Sequence, residues 1–255
     1  MRAETATTKP IDIISSDAEQ GGDAEHLSAV RNMFGAIAGR YDFLNHFLSL
    51  HIDRYWRRRV VAELTDVLGR DEAMVVDLAC GTGDLALKLR EGARAGVIGA
   101  DFCEPMLVIA KQKAATKALP VPFVEADAMC LPFADSTVDA LTISFGLRNL
   151  PDVERGLVEI HRVLKPEGKL VVLEFTTPVV PGFRPLFNFY FRRVLPFVGG
   201  ILSGSRPAYA YLPVSVAHFP DQRSLAKLMR EIGFTDVRYK NLTGGVAAIH
   251  CGIRP

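Results

Sequence analysis

Three short stretches of this chain bring together residue types that can do chemistry. The first is Asp77-Leu78-Ala79-Cys80-Gly81-Thr82-Gly83-Asp84, which joins an apolar run to a helical one. Glycines in such a turn let the backbone pass close to a ligand, and the start of the next helix offers unpaired N–H groups. The second is Asp101, at the end of another apolar run, and the third is Glu125-Ala126-Asp127-Ala128. Gly81-x-Gly83-x-x-Ala86 followed by Asp101 also satisfies a dinucleotide-binding fingerprint. The acids flanking the loop argue against it, because Asp77 and Asp84 would repel a pyrophosphate and would attract a cationic sulfonium-amino acid.

The three loops together therefore fit S-adenosylmethionine lying across the carboxyl ends of parallel strands. Asp101 is expected to accept from both ribose hydroxyls, since a carboxylate offers two oxygens. Asp127 is expected to accept from the adenine amino group while the Ala128 N–H donates to a ring nitrogen. The Gly81-Thr82-Gly83 turn approaches the methionine portion.

The elements that must position these loops alternate. Strand-like runs lie at 73–79, 96–101, 121–126, 137–144 and 169–175, and helical stretches at 84–91, 104–117 and 152–163. Such alternation means βαβ units and a parallel sheet covered on both faces. After a helix from Asp221 to Ile232, stopped by Gly233, two more strands flank Leu242-Thr243-Gly244-Gly245, a hairpin signal that makes them antiparallel. The predicted fold is α/β, a Rossmann-like doubly wound seven-stranded sheet with a C-terminal antiparallel hairpin, as in class I S-adenosylmethionine-dependent methyltransferases. Before it, 26–68 has helical spacing, but Tyr41 to Leu50 shows no clean period.

Composition narrows the function classes. The chain has 255 residues, 49% hydrophobic, with 30 basic and 29 acidic side chains. That balance lacks the basic excess of a nucleic-acid wrapper, so no nucleic-acid partner is expected. The four cysteines, never closer than 23 positions, exclude a disulfide scaffold and a CxxC zinc site and fit a reducing cytosol. The six histidines have no metal-ligand spacing. No run approaches the ~20 apolar residues needed to span a bilayer. Residues 1–26 are acidic and lack an apolar core, so they are read as a disordered tail and not as a targeting segment. Residues 27–255 are read as one domain.

The chain resembles the ubiquinone/menaquinone biosynthesis C-methyltransferases from about Met33 to Gly252. Four stretches carry the resemblance. They are Tyr41-Asp42-Phe43-Leu44-Asn45 running on to Trp56; Asp77 to Asp84 with Asp101; Ser144-Phe145-Gly146-Leu147-Arg148-Asn149 leading to Leu173-Glu174-Phe175; and Tyr211-Leu212-Pro213, Phe219-Pro220 and Asn241 to Gly245. The sequence departs from the family pattern at Leu44, Asp53, Glu167 and Thr176, where Met, His, Gly and Ser are usual; none is a cofactor residue.

The resemblance implies methyl transfer from S-adenosylmethionine to a ring carbon of a polyprenylated hydroquinone, and a lid over the cofactor at Tyr41, Asp42 and Asn45. A hydroquinol carbon becomes nucleophilic when a neighbouring hydroxyl loses its proton. Arg148, after the fourth strand, is the candidate to lower that hydroxyl's pKa, with a structural ion pair as the alternative. Asn149 is the candidate to hold the oxygen or a water that takes the proton. Ser144 is read as a positioning hydroxyl for cofactor or substrate, Glu174 as a structural partner, and His218 as a weaker proton acceptor.

The stretch at about 179–212 is an aromatic-rich insertion. It contains Phe183, Phe187, Phe189, Tyr190, Phe191 and Phe197, interrupted by Arg184, Arg192 and Arg193. It is expected to cover a hydrophobic substrate and to touch lipid phosphates. A polyprenyl tail costs ~0.8 kcal/mol per CH₂ to expose, so transient membrane contact of a cytoplasmic protein, peripheral at the inner membrane, is expected. A homodimer is compatible with the sequence. Competing readings are a methyltransferase for another acceptor, a dinucleotide oxidoreductase and a catalytically silent cofactor-binding protein.

Overall fold

The computed structural model describes residues 21–180, 182, 185, 187, 189–194 and 206–255. Seven strands form one sheet: β1 (Met74–Leu78), β2 (Gly96–Asp101), β3 (Phe123–Glu125), β4 (Val138–Ser144), β5 (Leu164–Phe175), β6 (Thr235–Leu242) and β7 (Ala247–Ile253). Their order is β3-β2-β1-β4-β5-β7-β6. The first five pair in parallel, and β7 pairs antiparallel with both β5 and β6. The order turns back between β1 and β4, which opens a crevice at the carboxyl ends of the strands.

Eight helices are described: α1 (Gly21–Leu48), α2 (Ile52–Glu63), α3 (Thr65–Leu68), α4 (Asp84–Arg90), α5 (Glu104–Thr116), α6 (Val153–Val163), α7 (Arg206–His218) and α8 (Gln222–Ile232). Alternation along β1 feeds two cores. Val75 packs with α2, α4 and α5 on one face, and Val76 with α6 and α8 on the other. The side chains of Asp152 and Asp221 cap α6 and α8 by accepting from Arg155 N–H (2.9 Å) and Ser224 N–H (2.8 Å). Helix α8 ends, as expected, at Gly233, whose φ of 117° suits glycine.

Two expectations change. Residues 21–26 belong to α1 and not to a tail; residues 1–20 lie outside the described set. The segment does find something to pack against, since Val30 is buried, Leu27 lines a cavity and a His26 ring nitrogen donates to the Asn149 carbonyl at 3.2 Å. The unassigned stretch from Tyr41 is the C-terminal part of the same helix. It is followed by a turn in which Leu50 and His51 both have positive φ.

Candidate active site

The loop after β1 is shaped by its own sequence. Gly81, at φ +54°, bends the chain back so that its N–H reaches Asp101 Oδ2 at 2.7 Å. Cys103 N–H donates to the other oxygen, Oδ1, at 2.9 Å. Asp101 is buried, burial raises its pKa, and the two backbone donors work in the opposite direction. The loop after β4 is pressed against this one at Gly146, where a Cβ would stand 2.3 Å from the Ala79 Cβ.

Two cavities meet here. The narrower, of 60 Å³, is walled by Asp101, Asp127, Ala128, Ser144, Asn149 and the ring of Phe102, among others. Asp127 Oδ1 accepts from Met129 N–H at 2.8 Å, which fixes its loop. The larger, of 460 Å³, is lined by Asp77, Cys80, Thr82, Ser144 and Arg148 and by the rings of Trp56, Phe175, Phe187, Phe191 and Tyr211. Tyr41, Gly81, Ser144 and Phe145 face both. The larger cavity owes its apolar wall to an aromatic cluster, in which Phe145 and Phe175 lie 4.5 Å apart and Trp56 is edge-on to Phe175 at 5.9 Å.

Arg148 is held from behind. Its Nη1 donates to Glu174 Oε1 at 2.8 Å and to the Phe145 carbonyl, and its guanidinium lies 5.6 Å from the Phe175 ring centroid. Glu174 is fully buried; burial raises its pKa and the Arg148 charge opposes that. Arg148 Nε is buried without a hydrogen-bond partner. Asn149 Nδ2 donates at 3.3 Å to the Phe145 carbonyl that also accepts from Arg148 Nη1, and Asn149 lines the narrower cavity while Arg148 lines the larger. Leu147–Asn149 is a 3₁₀ turn, and three residues per turn send successive side chains about 120° apart. His218 is exposed, its Nδ1–H donates to the Val214 carbonyl at 2.9 Å, and it lines neither cavity.

Sequence reasoning missed the ion network that closes α1 over the loop. Lys113 on α5 pairs with Asp42 of α1 at 2.8 Å and with Asp84 at the start of α4, and Asp42 also accepts from the Thr82 hydroxyl. Asp84 lies 3.6 Å from both Arg57 and His46. Asp53 accepts from Arg57, from Ser49 Oγ at 2.7 Å and from His46 Nδ1 at 2.7 Å. Burial alone would raise the Asp53 pKa, but these donors and charges outweigh it and hold it low. The only sequence signal was the density of charge in Arg57-Arg58-Arg59 and the lid segment; pairings 29 and 71 positions apart are not legible in spacing. Replacing Lys113 by Met leaves Asp42 and Asp84 without their shared cation. It is expected to cost about 1–3 kcal/mol, read as a lower Tm together with faster cofactor dissociation. An unchanged Tm and off-rate would show that the latch is inert.

Of the aromatic insertion, Phe187, Tyr190 and Phe191 line the larger cavity, and Phe189 is exposed. Phe183, Arg184 and Phe197 lie outside the described residues. Among the described residues no helix is long and apolar enough to cross a membrane.

Comparison with known proteins agrees with this arrangement. The chain is 53% identical to a demethylmenaquinone methyltransferase of Thermus thermophilus over 224 residues, covering 88% of this chain and 100% of that one. It is 47% identical to a demethylmenaquinone methyltransferase of Deinococcus radiodurans, covering 91% and 95%. In fold it is similar to phosphoethanolamine N-methyltransferase 2 of Haemonchus contortus in complex with S-adenosyl-L-methionine. That match has a TM-score of 0.56 at 13% identity, over 77% of this chain and 52% of that one. A model of the ubiE/COQ5 methyltransferase family matches residues 21–254. With the strand order and the loops at the strand ends in place, the chain belongs to the ubiE/COQ5 methyltransferase family.

Proposed function

We propose that the protein transfers a methyl group from S-adenosylmethionine to a ring carbon of a polyprenylated hydroquinone, converting a demethylmenaquinol to a menaquinol. The methoxy-benzoquinol step of ubiquinone synthesis is a second acceptor of the same chemistry. The single observation that carries the reading is the junction of two unlike cavities. One is narrow and holds Asp101 and Asp127, the other is large and aromatic with a buried arginine, and Tyr41, Gly81, Ser144 and Phe145 are among the residues that line both. The names of the relatives support the acceptor class.

The residues fit the cofactor. Asp77 Oδ2, Ser144 Oγ and Asn149 Oδ1 are buried without hydrogen-bond partners on these walls. Each such atom costs about 1–3 kcal/mol unless a ligand satisfies it. Asp101 and Asp127 would hold the ribose and adenine, with Ala128 N–H, Asn149 and Ser144 beside them. Gly81, Thr82, Gly83 and Asp77 would hold the amino-acid end. When bound, S-adenosylmethionine supplies an electrophilic methyl group.

Arg148, on the wall of the larger cavity, brings a fixed positive charge to the acceptor's hydroxyl and lowers its pKa. Glu174 keeps the guanidinium from rotating away. The rings of Trp56, Phe175 and Tyr211 align the acceptor and exclude water, so positioning supplies much of the rate. In this reading residues 21–255 are one domain, with α1 as lid and residues 179–212 as cover. It works at the cytoplasmic face of the membrane that carries the quinone.

Asp77 gives the site a pH signature. It is buried and accepts from Thr142 Oγ1 at 2.7 Å; burial pushes its pKa up to about 7. A carboxyl whose folded pKa lies above its unfolded value binds its proton more tightly when folded. Its favourable contribution is complete below about 3.8 and is lost as pH rises through about 7. A cationic ligand prefers the ionised form, so cofactor affinity should tighten up to about pH 7 and then level off. Calorimetric titration across that range checks this, and Asp77→Asn should flatten both trends. An equally steep profile in the variant would assign the dependence elsewhere.

The decisive assay supplies labelled S-adenosylmethionine and two reduced acceptors in detergent, a demethylmenaquinol and a demethylated methoxy-benzoquinol. Label in either product supports the reaction and identifies the ring. Label in neither, with cofactor binding intact, overturns it.

A further inference from the structure

The outer face of α1 presents a surface that the site does not use. Phe43 (62% exposed), Phe47 (48%) and Leu50 (76%) follow one another at i, i+4 and i+7, and the two phenyl rings stack at 5.8 Å. Leu50 also lines the larger cavity, with Leu48 and Ile52, so this well-exposed leucine stands at the cavity's mouth. Leu50 and His51 hold φ of 52° and 61°, a left-handed conformation that side chains disfavour. Backbone strain is thus retained where a leucine stands in water. Tyr190 Oη donates to the Leu48 carbonyl at 2.8 Å, which brings its neighbour Phe189, 62% exposed, to the same end of α1.

The charges around the stripe are one-sided. Between Phe43 and Arg58 the only acid is Asp53, which is buried against Arg57, Ser49 and His46. Arg54 and Arg58 are exposed and, among the described residues, make no ion pair. Apolar side chains flanked by unpaired cations, with no exposed acid between them, complement an anionic lipid surface.

We infer that the corner between α1 and α2 is the edge by which this protein docks on an anionic bilayer, with the mouth of the larger cavity facing the lipid. The inference rests on the polyprenylated acceptor proposed above. It adds Phe43, Phe47 and Leu50 to the insertion and the Arg57-Arg58-Arg59 run, from which the sequence suggested lipid contact. The acceptor's head then enters between Leu48 and Ile52 while its tail stays among acyl chains.

The test sediments the full-length protein with phosphatidylcholine vesicles, with and without phosphatidylglycerol, and reads binding independently of catalysis. The unmodified protein should sediment with the anionic vesicles and much less with the neutral ones. Phe43→Ser/Phe47→Ser should weaken that partition at least about tenfold, and Arg54→Glu/Arg58→Glu should remove the preference for anionic lipid. Both variants should keep normal turnover on a short-tailed, water-soluble hydroquinol, because none of the four residues lines either cavity. Unmodified protein that turns over the soluble acceptor but ignores both vesicles overturns the docking edge and leaves the reaction standing. Vesicle binding with no turnover on any acceptor leaves the edge and overturns the reaction. Serine variants that bind vesicles normally overturn the edge, and if they also separate a dimer into monomers the face is a contact between copies.

Discussion

Replacing Arg148 by methionine is expected to abolish measurable methyl transfer and to destabilise the fold by about 3–5 kcal/mol, because it leaves a buried carboxylate without its cation. Glu174 has no exposed surface and, among the described residues, accepts from Arg148 and from Phe175 N–H at 2.9 Å. Burial already raises its pKa, and Arg148 supplies the largest opposing influence. In the variant Glu174 stays protonated to higher pH. A raised folded pKa means that stability falls as pH rises, so the deficit should be smallest in acid and grow toward neutrality. The double variant Arg148→Met/Glu174→Met separates the two roles. It should recover most of the stability, since an apolar pair replaces an ionic one, yet remain inactive. Thermal unfolding and single-turnover assays read the two effects. Recovery of turnover in the double variant would demote Arg148 to a structural partner.

The second large effect belongs to Asp101. Asp101→Ala leaves Gly81 N–H and Cys103 N–H without acceptors, each costing about 1–3 kcal/mol, in addition to the ribose contacts the carboxylate is proposed to make. Cofactor affinity should fall by a hundredfold or more, equivalent to about 2.7 kcal/mol. Asp101→Asn should lie between, because its oxygen satisfies one backbone donor while its NH₂ group faces the other. Calorimetry provides the measurement. An asparagine variant that binds as tightly as the parent would mean that the carboxylate's charge and second acceptor are unused.

What was legible in the sequence follows from how many demands each residue meets. The strands and the helices on the sheet were readable because one face of each meets one core, as with Val75 and Val76, and because Asp152, Asp221 and Gly233 mark ends chemically. The segment Tyr41–Leu48 resisted because neighbouring residues answer to four environments. Tyr41, Asn45 and Leu48 line the larger cavity, Leu44 is core, Asp42 and His46 join the ion network, and Phe43 and Phe47 meet water. No single period survives that mixture. The placement of the loops after β1, β2 and β3 was readable from residue type and strand ends. Arg148 and Asn149, adjacent in sequence, line different cavities because a 3₁₀ turn separates adjacent side chains in a way that spacing does not disclose. Arg57 stands in a run of three arginines that reads as a solvated basic face, whereas it turns inward to Asp53 one helical turn away.

The place of β7 bears on how the chain is made. Its last strand is threaded between β5 and β6, so β5 has no partner on that side until residues 247–253 have been synthesised. Until then Val171 to Leu173, among the most apolar backbone in the protein, present an open edge that invites pairing with another chain. A nascent chain stalled or cleaved before Ala247 is therefore an incomplete sheet with its seam exposed, and not a shorter enzyme. Synthesis of β7, more than any earlier step, is the point at which this seam of the sheet can close.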